Sequence, residues 1–516
     1  MKTRGTKHPL IFLLCLPAVL WGTNQGTPDS WIPAHWPGGP LELERRAKAK
    51  TAPSDPAIRE AIATWYDPAT LSLLDGSPVN CLLLTWSAGA DGVIERQQHQ
   101  LVKAYAAEAH RRGIAVLGLV YPGADSSQFV APAVEARLDG LVLDGEFPVG
   151  FTEQVTRALA SAGSSAVVIP IATDTASIRT ARLPVLAVAG VSPSARNLSD
   201  MGIRAAPSSE PWIQSNVWLV RSFRLAPAWR PVWISYQPDD GTPTDYARSV
   251  ADAAVAGGRW IAALDDGLRA KLRRNEAAAL AAWQRIGAYL KFAEDHAEWH
   301  GFAPYGNLGV IVDTAAQDGE MADEYLKLVA RRQVPYRPIA RSQLSAALLA
   351  GFRAVLATAL APPSAAERTM LTTFAENGGL VVAGPSWGNP PKQEAFAEVP
   401  LGKGRVTVYK DPDPESVARD MRDLLSHREA GVVAFNVPSV ITYTSSSGDG
   451  KRLLVQLLNY SNSPSTAITI RVSGSFKTAR LFTPDAAPAK LAMSPAEGQI
   501  DITIPKLSLW GGLLLE

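Results

Sequence analysis

Short apolar runs alternate with amphipathic stretches between residues 56 and 302. This alternation is typical of βα units built around a parallel sheet. The clearest crossover helices span residues 98–112, ending before Gly113, and residues 246–256, ending before Gly257. Eight strands favour a closed (β/α)8 barrel, and an open, doubly wound sheet is the alternative. These strands are predicted at residues 63–66, 81–86, 114–121, 140–143, 166–172, 185–191, 232–236 and 260–264.

The pattern restarts after a long Ala- and Leu-rich helix at residues 276–299. Residues 303–429 are predicted to form an open parallel α/β domain of the flavodoxin or amidotransferase type, and residues 430–516 a β-sandwich. The α/β domain has strands at 308–312, 336–339, 354–358, 380–383 and 405–409, with helices at 321–332, 365–377 and 414–426. The sandwich has strands at 453–458, 467–472, 479–482 and 500–504.

The amino terminus has the pattern of a secretory signal. Lys2, Arg4 and Lys7 precede an apolar run at residues 9–21, so residues 1–22 are predicted to direct export to the periplasm or beyond. The run is short for a membrane span of about 20 residues, and an uncleaved anchor is the alternative. Residues 23–55, rich in Pro, Gly and Ala, are predicted to be a loosely ordered leader.

Charge and cysteine content exclude several classes of protein. Fifty basic and forty-nine acidic residues leave a net charge of +1, so no overall field attracts nucleic acid or anionic membranes. Without the signal, Cys81 is the one remaining cysteine, which excludes an internal disulfide and a thiolate zinc site. Phosphate-loop and H-E-x-x-H motifs are missing from the sequence. No metal or cofactor is therefore expected.

The order of the three regions resembles the multidomain glycoside hydrolases of the β-galactosidase-like clan, in which a glutamine-amidotransferase-like or trimerisation-type domain follows the barrel. Residues 354–385 and 402–406 carry the likeness of the middle domain. No cysteine follows a strand there, so amidotransferase activity is not implied. Homo-oligomerisation through this domain is compatible with the resemblance.

A second resemblance lies at residues 139–146, which read Asp-Gly-Leu-Val-Leu-Asp-Gly-Glu. This is similar to the D-G-x-D-x-D-x-E strand of chitinase-like hydrolases, whose last glutamate is the acid. Val142 replaces the middle aspartate. Asp144 and Glu146 are two residues apart, which would place them on one side of an extended chain.

Three acidic pairs follow predicted strands, where the active sites of β/α barrels lie. Glycosidic bond cleavage needs two carboxyl groups, one of them protonated. Glu146 is the preferred general acid because Phe147 and Pro148 could desolvate it and raise its pKa. Asp144 would orient Glu146 or stabilise charge. The resemblance to the clan implies a partner carboxylate after strand seven, which here would be Asp239 or Asp240. The third pair is Asp265 and Asp266. Capping of the next helix or turn formation is the alternative for these acids.

Aromatic and amide side chains are predicted to bind substrate at the same site. Asp265 and Asp266 are also predicted to contact the substrate. Stacking and hydroxyl binding are assigned to Trp212, Asn216, Trp218, Trp233 and Tyr236, which could equally seal the top of the barrel.

Residues 203–225 are predicted to be a long loop over the mouth. Its Arg221 and Arg224 would balance the acids or bind an anionic sugar, or would lie on the surface.

The sequence thus predicts an exported glycoside hydrolase acting on a polysaccharide or glycoconjugate. The alternative is a non-catalytic carbohydrate-binding or scaffold protein.

Overall fold

A computed structural model describes residues 26–173, 182–196, 212–225, 230–238, 241–313, 319–358, 360, 362–388 and 390–516. The first part of this chain forms a ring of parallel strands. Its strands are β1 (Pro33–His35), β2 (Cys81–Ser87), β3 (Ala115–Val120), β4 (Gly140–Asp144), β5 (Val167–Ala172), β6 (Leu186–Ala189), β9 (Val232–Ser235), β10 (Arg259–Trp260) and β11 (Ala262–Ala263), and a separate hairpin consists of β7 (Ser194–Arg196) and β8 (Trp212–Gln214).

The ring closes because β10 and β11, separated only by Ile261, act as one strand. β10 pairs with β9, and β11 pairs with β1 through Ala34↔Ala262 and His35↔Ala263. Alternate side chains fill the inside of the ring, among them Leu83, Leu117, Val142, Ile169, Ala187 and Trp233. The predicted (β/α)8 barrel is thus confirmed.

The first strand differs from the prediction. Residues 63–66 do not form a strand, because Asp55 caps a helix that begins at Pro56 and ends at Ala63. The first strand is instead Pro33–His35, inside the segment predicted to be a loosely ordered leader. Closure of the ring requires this strand, so residues 33–48 are an integral part of the barrel.

Aspartates begin several helices of the barrel region. The side chains of Asp55, Asp91, Asp125 and Asp265 each accept a hydrogen bond from a backbone N–H of the first turn. The helices are α1 (Gly39–Lys48), α2 (Pro56–Ala63), α3 (Gly92–Arg111), α4 (Ser126–Glu135), α5 (Phe151–Ser161), α6 (Val217–Phe223), α7 (Pro243–Ala254), α8 (Asp266–Arg273) and α9 (Ala277–Asp295).

The middle region is an open sheet with the order β14-β13-β15-β16-β18-β17. It is parallel except for β17, which forms a hairpin with β18. This is the 2-1-3-4-5 order of flavodoxin-like domains with one added edge strand. The strands are β13 (Leu308–Val312), β14 (Tyr336–Ala340), β15 (Ala354–Leu356), β16 (Leu380–Ala383), β17 (Phe396–Leu401) and β18 (Gly404–Tyr409), and the helices are α10 (Gly319–Arg331), α11 (Ala346–Leu349), α12 (Ala365–Glu376), α13 (Pro414–Leu424) and α14 (His427–Ala430).

The last region is a sandwich of two antiparallel sheets, as predicted. Their inner faces share one apolar core. One sheet has the order β12-β20-β21-β27-β23-β24 and the other β19-β22-β26-β25. The strands are β12 (Ala303–Pro304), β19 (Val432–Phe435), β20 (Val440–Ser446), β21 (Leu453–Asn459), β22 (Ser465–Val472), β23 (Ala479–Thr483), β24 (Ala486–Lys490), β25 (Met493–Ala496), β26 (Gln499–Leu507) and β27 (Trp510–Leu515).

A buried polar cluster joins the barrel to the sandwich. The Asp252 carboxylate of α7 is fully buried and accepts hydrogen bonds from the Ser215 hydroxyl at 2.7 Å, the Tyr460 hydroxyl at 2.8 Å and the Asn216 backbone and side-chain amides at 2.8 and 2.9 Å. Tyr443 of β20 adds its hydroxyl, 3.2 Å from that of Tyr460. The two regions are therefore held by specific hydrogen bonds as well as by apolar packing.

None of the helices in the described ranges has the length and apolarity that a membrane crossing needs.

Candidate active site at the barrel mouth

Helix α1 follows β1 directly and so starts at the carboxyl end of the barrel. Gly39 in the connecting turn has φ +83°, a conformation that favours glycine, and a Cβ there would collide with the side-chain amide of Gln98. Gln98 is fully buried on α3. Its Nε2 donates to the Gly38 and Thr85 carbonyls at 2.9 and 2.7 Å, and its Oε1 accepts from Leu41 N at 3.2 Å. This amide ties the β1–α1 turn to β2.

These Gln98 hydrogen bonds position α1 so that the fully buried carboxylate of Glu42 lies at the mouth. It accepts hydrogen bonds from Arg45 Nη2 at 2.7 Å, Arg46 Nε at 2.5 Å and Thr85 Oγ1 at 3.0 Å. Burial alone would raise the pKa of Glu42, but hydrogen bonds and charges from Arg45 and Arg46 hold it below its ordinary value. Glu42 is therefore ionised at neutral pH.

Asp144 is the last residue of β4 and lies on the inner face of the ring. It is in register with Ile171, whose side chain belongs to the barrel interior. The side chain is half-buried. Burial raises the pKa of Asp144, the positive charge of Arg45 opposes the rise, and the negative charge of Glu42 adds to it. The pKa of Asp144 is thus shifted in the opposite direction from that of Glu42.

Arg45 connects these two acids. Besides its two bonds to Glu42, its guanidinium lies 4.1 Å from the centre of the Tyr121 ring, which follows β3. Burial raises the pKa of the Tyr121 hydroxyl well above its ordinary value. The result is a compact group of charged and aromatic side chains beside Asp144.

His35 of β1 faces the same interior, since its register partner is Leu83. Burial is the main cause that lowers the pKa of His35 to about 4, and the nearby charges of Arg269, Arg45 and Arg46 act in the same direction. The imidazole is therefore neutral at pH 7 and can exchange hydrogen bonds with an uncharged hydroxyl group.

Asp265 and Asp266 have different roles. Asp265 is the N-cap of α8, accepting from Leu268 N at 2.8 Å, and it also accepts a hydrogen bond from the Tyr246 hydroxyl. The capping alternative is thus confirmed for Asp265. Asp266 pairs with Arg46 and Arg269, each at 2.5 Å, so it belongs to the same charged group as Glu42.

Glu146 does not have the environment that the sequence predicts. The strand ends at Asp144, and Gly145 has φ +120°, so the chain is not extended between the two acids. A Cβ at Gly145 would lie 2.7 Å from Pro122 of the neighbouring loop. Glu146 is exposed, and Phe147 stacks on Phe151 at 5.0 Å instead of covering the carboxyl. The prediction that Phe147 and Pro148 desolvate the Glu146 carboxyl is therefore wrong.

Three of the side chains predicted to contact substrate pack or bond within the fold, and Trp218 of α6 is half-buried against the main apolar core. Trp233 is fully buried inside the ring, 6.4 Å from Trp31, which precedes β1 at the amino end of the barrel. Tyr236 packs against Trp260, at 5.9 Å. The Asn216 side chain bonds to Asp252 and to both backbone groups of Val191. These three residues stabilise the fold.

Three predicted site residues lie wholly or partly outside the described part of the chain. These are Asp239 and Asp240, and also Trp212, which belongs to β8 but whose side chain is not described.

The predicted long loop at residues 203–225 contains a strand and the helix α6 in its described part. Arg221 is buried, 5.1 and 5.4 Å from the rings of Tyr336 and Tyr443, and Arg224 donates to the carbonyl of His300. Both arginines therefore pack away from the mouth.

Sequence reasoning missed His35, Glu42, Arg45 and Arg46 because it assigned their segment to a leader. A signal was available: the apolar run at residues 31–36 is followed by Pro-Gly-Gly-Pro, and Glu42 precedes Arg45 and Arg46 at helical spacing.

Within the described ranges, no group of three or more His, Cys, Asp or Glu side chains is arranged to hold a metal ion.

No protein-family model matches the chain, and neither does any curated protein. Solved structures do resemble it. The α-L-fucosidase isoenzyme 2 from Paenibacillus thiaminolyticus has a TM-score of 0.53 at 10% identity, with 86% of this chain and 95% of that chain covered. An exo-β-1,4-mannosidase from Opitutaceae bacterium strain TAV5 has a TM-score of 0.46 at 11% identity, over 76% and 94% of the two chains. A β-galactosidase from Bacillus circulans has a TM-score of 0.39 at 10% identity, over 83% and 68%. The chain is thus a multidomain protein whose fold is similar to that of the α-L-fucosidase isoenzyme 2.

Proposed function

We propose that the protein is an exported glycoside hydrolase that cleaves O-glycosidic bonds of a polysaccharide or glycoconjugate at the barrel mouth. The observation that carries the proposal is Asp144, an inward-facing carboxyl at the carboxyl end of β4 whose pKa is raised by burial. This is the end of a β/α barrel at which active sites lie, and a raised pKa favours the protonated form that a general acid requires. The glycoside hydrolase-like fold supports the same reaction class.

The roles differ from those predicted from sequence. Asp144 replaces Glu146 as the acid, because Asp144 is the half-buried carboxyl and Glu146 is exposed. Glu42 is paired on both oxygens and supplies a fixed negative charge. The second reacting carboxylate is Glu146, Asp239 or Asp240. A separation of about 5–5.5 Å from Asp144 would give retention, and about 6.5–9.5 Å inversion.

Release of reducing ends from a panel of polysaccharides tests the proposal. We expect Asp144→Asn to lower kcat by about 10²–10⁴-fold, the usual contribution of general acid–base catalysis. Because the acid works only when protonated, wild-type kcat should fall as pH rises through the pKa of Asp144. Glu153→Gln, at an exposed position on α5, is the matched control and should keep wild-type activity.

The same assay assigns the partner. Among Glu146→Gln, Asp239→Asn and Asp240→Asn, the variant that loses activity while keeping the alkaline fall in kcat identifies the base or nucleophile. Equal turnover by Asp144→Asn and wild type would remove Asp144 from the mechanism.

A non-catalytic carbohydrate-binding protein is the second candidate. The exposure of Glu146 and the apolar Val142, buried in the barrel where the chitinase-like pattern has an aspartate, favour it. Glycan binding without turnover on any substrate would establish this alternative.

Export is supported by the signal-like residues 1–22, which lie outside the described residues. Mass determination of the chain recovered outside the cytoplasm would show whether they are removed, and retention inside the cell would contradict export.

A further inference from the structure

A cavity of ≈ 280 Å³ lies where the barrel, the middle domain and the sandwich meet, separate from the barrel mouth. One wall is Ile213 of β8, and another is the segment 434–438 that leads from β19 towards β20. The remaining walls come from the middle domain. They are Arg331 at the end of α10, Arg332 and Gln333 after it, and Arg422 on α13.

Three arginines and no acidic residue line this cavity among the described residues. Arg331 and Arg332 are largely buried, with side-chain exposures of 10% and 7%, and both face the carboxylate of Glu415. Arg422 is exposed and has no hydrogen-bond or ion-pair partner in the part of the chain that the structure describes. An anion would therefore bind the Arg422 guanidinium without displacing a carboxylate, unlike the guanidinium groups of Arg331 and Arg332, which face Glu415.

The walls are fixed before any ligand arrives. Gln333, at φ +58°, accepts from Thr442 N at 3.2 Å and from its hydroxyl at 3.0 Å, and donates to the Val440 carbonyl, which joins α10 to β20. On the opposite side, Asn436 donates to the Ala467 carbonyl at 3.2 Å. A rigid cavity loses little entropy when a ligand binds.

We propose that this cavity binds a small molecule carrying a carboxylate or phosphate group, with Arg422 as the anion contact. Guanidinium groups match the planar and tetrahedral oxyanions through paired N–H donors. Ile213 and Phe435 supply apolar surface for the rest of the molecule. The cavity volume lies just below the usual range for ligand pockets, about 300–1,000 Å³, which suits a ligand the size of one sugar residue.

Calorimetric titration of the full chain tests this with glucuronate, glucose 6-phosphate and inorganic phosphate, and with glucose as the uncharged control. We expect at least one anion to bind with a Kd of about 1 mM or tighter, and glucose not to bind. The three anions distinguish carboxylate from phosphate recognition.

Arg422→Glu should weaken anion binding at least tenfold. Arg419→Glu is the matched control, because Arg419 lies one turn earlier on α13, is exposed and does not line the cavity. Asp144→Asn should leave binding unchanged, which separates this site from the proposed hydrolase. Equal binding by Arg422→Glu and wild type, or binding of no anion by wild type, would overturn the proposal.

Discussion

Two histidines are held neutral by their surroundings, one at each end of the barrel. His35 faces the mouth, and His300 lies near the start of β10, where the charges of Arg224 and Arg259 add to the effect of burial. In both cases burial is the main cause, and it lowers the pKa to about 4. Protonating either imidazole in the folded protein would place a charge beside arginines.

The consequence is a loss of stability in mild acid. Each folded-state pKa lies below the unfolded value of about 6.5, so between these two values the unfolded chain binds more protons. The free energy of unfolding should therefore fall as pH is lowered from about 6.5 to 4, by roughly 1–3 kcal/mol for each histidine. Urea unfolding at several pH values measures this, and His35→Gln with His300→Gln should flatten the slope. An unchanged slope in the double variant would contradict the assignment.

At the residue scale, sequence could locate acids at strand ends but not their surroundings. Asp144 and Glu146 differ because one glycine, Gly145, turns the chain between them. Asp265 caps a helix. Its neighbour Asp266 instead pairs with Arg46, a residue from the start of the barrel sequence. The environments of Asp144 and Asp266 also depend on the charges of Arg45 and Arg46, which are distant in sequence from both acids.

At the scale of elements, the mouth depends on the position of α1. The buried Gln98 amide links the start of this helix to β2 and α3, since it bonds to Gly38, Leu41 and Thr85. Gly38, Leu41 and Thr85 are all buried residues.

Gln98→Leu should therefore lower the free energy of unfolding by about 3–5 kcal/mol, since each buried polar group left unpaired costs about 1–3 kcal/mol. Gln97→Leu is the matched control on the same helix, because Gln97 is exposed and should change stability by less than about 0.5 kcal/mol. Urea unfolding monitored by tryptophan fluorescence measures both. Similar losses in the two variants would mean that Gln98 does not hold the turn.

Sequence pattern predicted the long elements well and the short ones poorly. Strands such as Leu308–Val312 and Leu380–Ala383 match the prediction at both ends because they are continuous apolar runs. β1 has three residues and begins with a proline, too short for any period to appear. β17 was missed because it contains Pro400, has no alternation of polar and apolar residues and is an edge strand.

At the scale of the whole molecule, the barrel and the sandwich share the buried Asp252. The Tyr460 hydroxyl bridges Asp252 and Ser215 from the sandwich side, at 2.8 and 3.0 Å. Burial raises the pKa of Asp252 although these hydrogen bonds act against the rise. The ionised form of a fully buried carboxyl is stabilised by the hydrogen-bond donors around it, so the loss of any one of them is costly.

Tyr460→Phe should lower the free energy of unfolding by about 1–3 kcal/mol, since it removes a hydrogen bond to a buried carboxyl. Tyr409→Phe is the matched control: its hydroxyl donates to Asp420 at 2.9 Å within one domain, and Asp420 is only half-buried, so water can replace the donor. Calorimetric unfolding compares the two variants. An equal or smaller loss for Tyr460→Phe would show that this cluster does not stabilise the interface.

Domain order and fold class could be predicted because they follow from the hydrophobic pattern over long stretches of chain. That pattern changes from alternating strands and helices to strands alone. The strand pairing that closes the ring and the interfaces between domains could not be predicted, since they depend on single residues such as Ala262 and Tyr460 meeting distant partners.

The closure of the barrel has a consequence for how the protein is made. Ala34 meets Ala262 only after nearly the whole barrel sequence has left the ribosome, and the Arg46–Asp266 ion pair spans the same seam. This seam can therefore close only after residue 266 has been synthesised. A barrel shortened before residue 262 would lack both the Ala34–Ala262 pairing and the Arg46–Asp266 ion pair.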